Sequence, residues 1–411
     1  MLKHKIRKTA VKARGRLSRL LQLLLTDEAI SGKLLLLAAA AAIFIVNSPW
    51  APVYTSLWSH DLSISIGSFT LAADLRHWIN DGLMALFFLV ISLEIKREIV
   101  RGELRKIRSA LLPIIAAIGG IAAPILIYMS LNNGFAGASG WGIPMTTDTA
   151  FAIALLALLG RRVPTALKVF LLTVMVIDDV AAITSIAIFY THAIHILPLL
   201  IAGGVTLAIL ALHWLRFLQM RGFIALGVVL WICFYLSGVH ASIAGVILGL
   251  IAPISIRHYA NKPSIAERLE TSLIPFSTLI IVPLFAFANA GIMLGLQAFG
   301  EEAALRTGLG IALGLVVGKT FGIFTAVWLA TKLRIVQLPN RVTMRHIGGV
   351  AMLAGVGFTL SIFISELAFQ NTPALTHVAK LSIFSASLFS AVAGLVFLMF
   401  ATKKTRKQPA K

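Results

Sequence analysis

The chain has 411 residues, 58% of them hydrophobic and only 13% charged, with a mean hydropathy of +0.92. No soluble core needs so much apolar surface, so the composition excludes an ordinary soluble domain and places the chain in a membrane. The single cysteine, Cys233, excludes an intrachain disulfide and a cysteine-based metal site.

Residues 1–28 form a basic extension, expected to be a lipid-surface anchor or a disordered arm. Its first 26 residues are basic and not followed by a small-residue cleavage site, so no secretory signal peptide is expected. Residues 29–400 read as one transmembrane domain and 401–411 as a basic tail. Twelve apolar spans are predicted, at about 30–47, 78–95, 110–131, 142–160, 166–190, 196–214, 223–236, 239–254, 273–294, 308–331, 346–369 and 377–400. Their lengths favour helices over barrel strands, and the fold class expected is an all-α polytopic membrane protein. The seventh and eighth spans are short enough for partial crossings.

Between spans 1 and 2, residues 62–66 alternate apolar and polar, Gly67-Ser68 turns, and Phe69-Thr70-Leu71 continues, which predicts a β-hairpin over 62–71. A lone two-stranded hairpin is barely stable. It is expected either to pair with a second copy of the chain or to form an ordered ribbon on one protomer.

Span 4 is interrupted at Pro144 to Thr149 and span 11 at Gly355 to Ser361. Spans 3–5 and 10–12 would begin on opposite sides, so these matching interruptions suggest an inverted-topology repeat with broken helices around a midplane site. Thirty of the 36 Lys and Arg fall in the termini and alternate loops on one side, with Arg76, Arg306 and Lys380 on the other and Lys33, Lys168 and Lys319 within spans. By the positive-inside rule both termini are cytoplasmic. The formal charge of +20 is then topology and attraction to anionic lipid, with no nucleic-acid partner.

Asp178 and Asp179 stand in the middle of the apolar run Ala166–Tyr190. A mid-membrane carboxylate costs roughly 2.5–3.5 kcal/mol even on lenient scales, so a pair is expected to serve transport of charge. Consecutive helix positions point about 100° apart, which puts one aspartate on an ion cavity and the other on a neighbouring helix. Lys319, mid-span in span 10, is the expected partner of the second. The alternative for Asp178–Lys319 is a fixed ion pair that only orders the bundle. Desolvation favours the neutral carboxyl, so the pair should take up protons near neutral pH. A small hard cation seeks the same oxygens. Competition between the two, in a site open to one side at a time, is antiport.

Asp148, after Thr147, reads either as a helix N-cap offsetting the dipoles of broken helices or as a direct cation ligand, with Thr147 able to offer an oxygen. His240 reads as a helix-end packing residue or a pH-responsive group. Glu94, Arg97, Glu98 and Glu270 lie at cytoplasmic helix ends, where charge is ordinarily a solvated face. Asp81 reads as an unremarkable interfacial carboxylate, and Glu366 receives no role.

Ile177-Asp178-Asp179, Thr147-Asp148 with Ala150-Phe151-Ala152, and Gly318-Lys319 together resemble the NhaA family of sodium/proton antiporters. So do Trp78-Ile79-Asn80-Asp81, the run from Leu93 to Glu98, the run from Leu284 to Gly291, and Gly357-Phe358-Thr359, over about residues 26–400. The resemblance implies twelve spans with crossed broken helices 4 and 11. It implies electrogenic exchange of two protons for one Na⁺ or Li⁺ across a bacterial inner membrane, in sodium and pH homeostasis, with no cofactor. It assigns cation and proton binding to Asp178 and Asp179, with Asp179 the more direct ligand, and charge compensation to Asp148 and Lys319. It places pH sensing at Glu94, Arg97, Glu98 and Glu270, and implies a homodimer through the outer hairpin. Two departures stand out: Thr271 and Ile274 where some relatives carry histidines, and Thr320 where a proline is common after the lysine.

Other functions fit less well. An intramembrane aspartyl protease needs two carboxylates meeting across facing helices. A channel would be opposed by mid-membrane Lys319. An ATP-driven pump lacks its Gly-rich phosphate loop. A sodium-coupled symporter would need polar groups for an organic substrate, which the spans do not supply.

Overall fold

The structure is a computed structural model and describes residues 28–66, 69–191, 194–215, 217–254, 263–295 and 299–403. The basic extension, except for Glu28, and the tail beyond Lys403 lie outside the described residues.

Helix α1 (Glu28–Val46) turns through 116° into the short α2 (Ala51–Trp58), where a proline at the second position supplies a preset φ. Asn47 holds the corner: its amide donates to the carbonyls of Ile43 and Ile292, and its oxygen accepts from the Leu294 N–H. Strands β1 (Asp61–Ile66) and β2 (Phe69–Asp74) then pair antiparallel, with Asp61 opposite Asp74 and Ile66 opposite Phe69. The hairpin expected from the alternation is present.

A single turn, Leu75–His77, and a π turn, Trp78–Leu83, lead into α3 (Met84–Arg101). Helix α4 (Ile107–Asn132) carries Pro113 and Pro124. Span 4 is broken as read: a 3₁₀ segment, Ala136–Met145, stops before Thr146, and α5 (Thr149–Leu158) resumes at 42° to it. Helix α6 (Thr165–Phe189) is continuous and begins behind Pro164, which cannot extend a helix backwards.

Helices α7 (Ile196–Trp214), α8 (Met220–Ser237) and α9 (Ser242–Ile251) pack with α3 around a second, smaller apolar core. Helix α7 leaves Leu197, Leu200, Leu207 and Trp214 exposed, as a lipid-facing helix does. Gly238, at φ 76°, ends α8 in the left-handed region that glycine adopts without strain.

Helix α10 (Ile265–Phe276) opens on a Ser264–Glu267 capping box and runs through a π turn, Ser277–Ile281, into α11 (Val282–Asn289). Helix α12 (Glu302–Leu313) is joined to α13 (Lys319–Lys332) by a third π turn, Gly314–Gly318. Span 11 is also broken, with α14 (Met344–Leu353) and α15 (Phe358–Ala368) meeting at 47°. Helix α16 (Pro373–Lys403) closes the chain.

Among the described residues, seven helical stretches are long and apolar enough to cross a membrane, or ten if each bent pair is one crossing. The chain is a multi-pass helical membrane protein, with one two-stranded sheet among the described residues. Two further spans read from the sequence fall outside that criterion for physical reasons. Helix α3 carries a charged end from Glu94 to Arg101, and α9 has only 10 residues.

Candidate ion-binding site

The two breaks place short non-helical segments against each other. The Asp148 N–H donates to the Val356 carbonyl at 2.6 Å, joining the break of one span to the break of the other. Asp148 is also the N-cap of α5: its Oδ1 accepts from the Phe151 N–H at 3.0 Å. Its Oδ2 accepts from the Thr359 N–H at 3.1 Å and the Thr359 hydroxyl at 2.6 Å. Thr359 lies in the first turn of α15, so one buried carboxylate accepts a backbone N–H from the start of each of two half-helices. Two positive helix ends meet there, and a negative charge between them is stabilising.

Helix α6 passes beside this junction and presents Asp178 and Asp179, which are only 1% and 5% exposed. Asp178 Oδ2 accepts from the Lys319 Nζ at 2.5 Å. The Thr147 hydroxyl lies 2.9 Å from Asp178 Oδ2 and 2.9 Å from the Ala354 carbonyl, and its single proton serves one of them at a time. Lys319 is fully buried. An ammonium and a carboxylate at this depth hold each other in place, because either alone would be a charge without compensation.

Asp179 faces elsewhere, as the 100° step along a helix requires. Its Oδ2 is 3.4 Å from the Thr149 hydroxyl, the first residue of α5. Asp178 Oδ1 and Asp179 Oδ1 have no hydrogen-bond partner among the described residues. Two buried oxygens without donors are expensive to keep, and they are the ligand type a hard cation or a proton requires.

Asp178, Asp179, Thr147, Asp148 and Lys319 are thus brought together at one place. The remaining predicted residues lie apart. Arg97 pairs with Glu270, linking α3 to α10. Glu98 accepts from the Glu103 N–H at 2.7 Å, closing the turn after α3. Glu94 stands on α3 about one helical turn before Arg97. His240 is at the opposite end of α3, with its Nδ1 3.5 Å from Asp81 Oδ1.

The structure adds groups that the sequence reading left without a role. Thr149 and Thr359 complete the site; both stood in the interruptions already noted, but neither was given a role there. A second ion pair, Arg101–Glu267 at 2.7 Å, runs beside Arg97–Glu270. Asp81, read as an ordinary interfacial carboxylate, is buried: His77 Nε2 lies 3.0 Å from Oδ2, and the Trp231 indole donates to the Asp81 carbonyl at 3.1 Å. Glu366 pairs with Lys380.

The chain matches the model of a family described as "Na+/H+ antiporter 1" over residues 22–398. It is 42% identical over 383 residues to a Na(+)/H(+) antiporter NhaA 2 of Clostridium beijerinckii, covering 93% of this chain and 95% of that one. It is 43% identical over 381 residues to a Na(+)/H(+) antiporter NhaA of Pseudomonas putida, covering 92% and 97%. A Na(+)/H(+) antiporter NhaA of Yersinia pestis is 44% identical over 386 residues, covering 93% and 97%.

Proposed function

The chain belongs to the Na+/H+ antiporter 1 family, and from that premise we propose that it exchanges internal Na⁺ or Li⁺ for external H⁺ through Asp178 and Asp179. The observation that carries the reading is the adjacency of two unlike carboxylates: Asp178 is held by Lys319 and Thr147, and Asp179 has an oxygen without a donor.

The exchange follows from competition. With no cation, the Lys319 ammonium occupies Asp178 and a proton occupies Asp179. A desolvated Na⁺ entering between the aspartates needs both carboxylates, with the Thr147 hydroxyl as a further oxygen. It displaces the ammonium and the proton together. Two protons per cation, the stoichiometry that the family resemblance implies, make the cycle electrogenic. Asp148 keeps both half-helices capped, so the junction moves as a unit and is not itself consumed as a ligand.

The same reading gives twelve crossings, counting α3 and α9, with spans 3–5 and 10–12 as inverted repeats around the junction. Both termini face the cytoplasm of a bacterial inner membrane, the side that carries the basic loops and the anionic lipid contacts. Glu94, Arg97, Glu98 and Glu270 would then tune activity to internal pH, and the β1–β2 hairpin would join two copies. Transport serves sodium and pH homeostasis and uses no cofactor.

The test uses everted vesicles from a host lacking its own sodium antiporters. After a ΔpH is imposed, Na⁺ or Li⁺ should dissipate it with the wild type and with neither Asp178→Asn nor Asp179→Asn. No dissipation by the wild type anywhere between about pH 6.5 and pH 9 would favour a sodium-coupled symporter instead.

A further inference from the structure

Lys319 does not sit on a regular α-helix. Its N–H donates to the Gly314 carbonyl, five residues back, so the π turn Gly314–Gly318 inserts one residue directly ahead of the lysine. One extra residue rotates everything after it by about 100° relative to a uniform α-helix. Without the insertion, a lysine at this position could not face Asp178 while α12 kept its packing.

The turn is wedged between both broken spans. A Cβ on Gly314 would stand 2.6 Å from the Pro144 Cβ in the first break, and one on Gly318 would stand 2.7 Å from the Pro124 Cα. The α-helical donor of the Leu315 carbonyl would be the Lys319 N–H, which has gone to Gly314. That carbonyl lies against Gly355 in the second break, 2.5 Å from where a Cβ would be. Within the turn, the Val316 carbonyl accepts from the Thr320 hydroxyl at 2.6 Å. Thr320 is the residue standing where a proline is common.

We propose that the π turn Gly314–Gly318 is what aims Lys319 at Asp178, and that Thr320, by holding the Val316 carbonyl, is a positioning residue for the exchange site; this rests on the antiporter reading above. Hydroxyl bonds to the carbonyl four residues back are common in membrane helices. Thr325, on the same helix, makes one to Phe321 at 2.6 Å beyond the π turn, and so supplies the control.

The experiment compares wild type, Thr320→Val, Thr320→Ser and Thr325→Val in proteoliposomes, reading Na⁺-driven proton exchange against pH together with detergent melting. A wild type with no exchange would overturn the antiporter reading itself. With an active wild type, Thr320→Val should displace the activity profile along the pH axis by about half a unit, the scale of one weakened hydrogen bond. Thr320→Ser should restore the wild-type profile, and Thr325→Val should match it, with similar melting throughout. An unshifted Thr320→Val profile, or an equal shift in Thr325→Val, would refute the role.

Discussion

Thr359 gives both its N–H and its hydroxyl to Asp148, 211 residues away in the chain. The two interrupted spans are therefore joined by a side chain as well as by backbone, and the Asp148 carboxylate serves both half-helices, beside a Ser387 hydroxyl that accepts from the Gly357 and Phe358 N–H groups. Removing the Thr359 hydroxyl deletes one hydrogen bond to a charged acceptor, a loss of about 1.5–3 kcal/mol. Thr359→Val should lower the detergent melting temperature accordingly. Asp148→Asn should cost more, because an amide offers one accepting oxygen where the carboxylate offers two. In the double variant the losses should be less than additive, as expected for groups in one network. Additive losses would mean that the two residues act separately.

How much of this junction could be read from residues alone depends on the range of the interaction. Asp148, Asp178, Asp179 and Lys319 were legible because an ionisable group in the middle of an apolar run is costly, and that cost is local to the run. The breaks were legible from Pro144 and from the glycines at 355 and 357. The pairing of Asp148 with Thr359 was not, since nothing near either residue specifies the other. Helix ends were under-read where apolarity stops before the helix does: α8 begins at Met220, ahead of the predicted 223, because Arg221 and Gly222 continue its hydrogen bonding. Asp81 was misread for a related reason. His77 stands only four residues ahead of it, but His240 and Trp231, which also face it, come from segments whose approach no local pattern encodes.

Asp178 and Lys319 should be tested as a unit. Lys319→Met leaves a carboxylate buried with only a hydroxyl, which costs about 3–5 kcal/mol for a broken buried pair. Asp178→Asn similarly strands the ammonium. The double variant Asp178→Asn with Lys319→Met removes both charges and should recover most of the melting temperature lost in the singles, while remaining unable to exchange Na⁺ for protons. A double variant no more stable than its parents would show that the pair is not the stabilising unit.

The helix carrying Lys319 also depends on a backbone contact. A Cβ on Gly120 would meet the Ile323 side chain at 2.8 Å, and one on Gly322 would meet the Ala123 Cβ at 2.8 Å, so α4 and α13 cross with no room for larger residues. Small residues at such crossings let membrane helices reach van der Waals contact. Gly322→Ala should destabilise by about 1–3 kcal/mol through overpacking. If instead its melting temperature and Na⁺ affinity match wild type, the crossing has more freedom than these distances allow.

The last prediction concerns the opposite end of α3, where His77 and His240 share Asp81. His77 precedes the span, and its hydrogen bond to Asp81 holds its pKa above the ordinary histidine value despite an opposing contribution from burial. Asp74 adds to the same attraction, and the Tyr235 ring packs edge-on against the imidazole. A raised folded-state pKa means that the charged ring stabilises the fold. That contribution is complete below the unfolded value of about 6.5 and is lost as pH rises through the higher folded value. Because His77 is half-exposed, solvent screening keeps it small. Wild-type protein should therefore lose slightly more melting temperature between about pH 6 and pH 8 than His77→Ala does. Asp81→Asn, which removes the carboxylate that His77 bonds, should flatten the pH dependence about as much. If wild type and both variants follow parallel curves, the cluster does not titrate as a unit with folding.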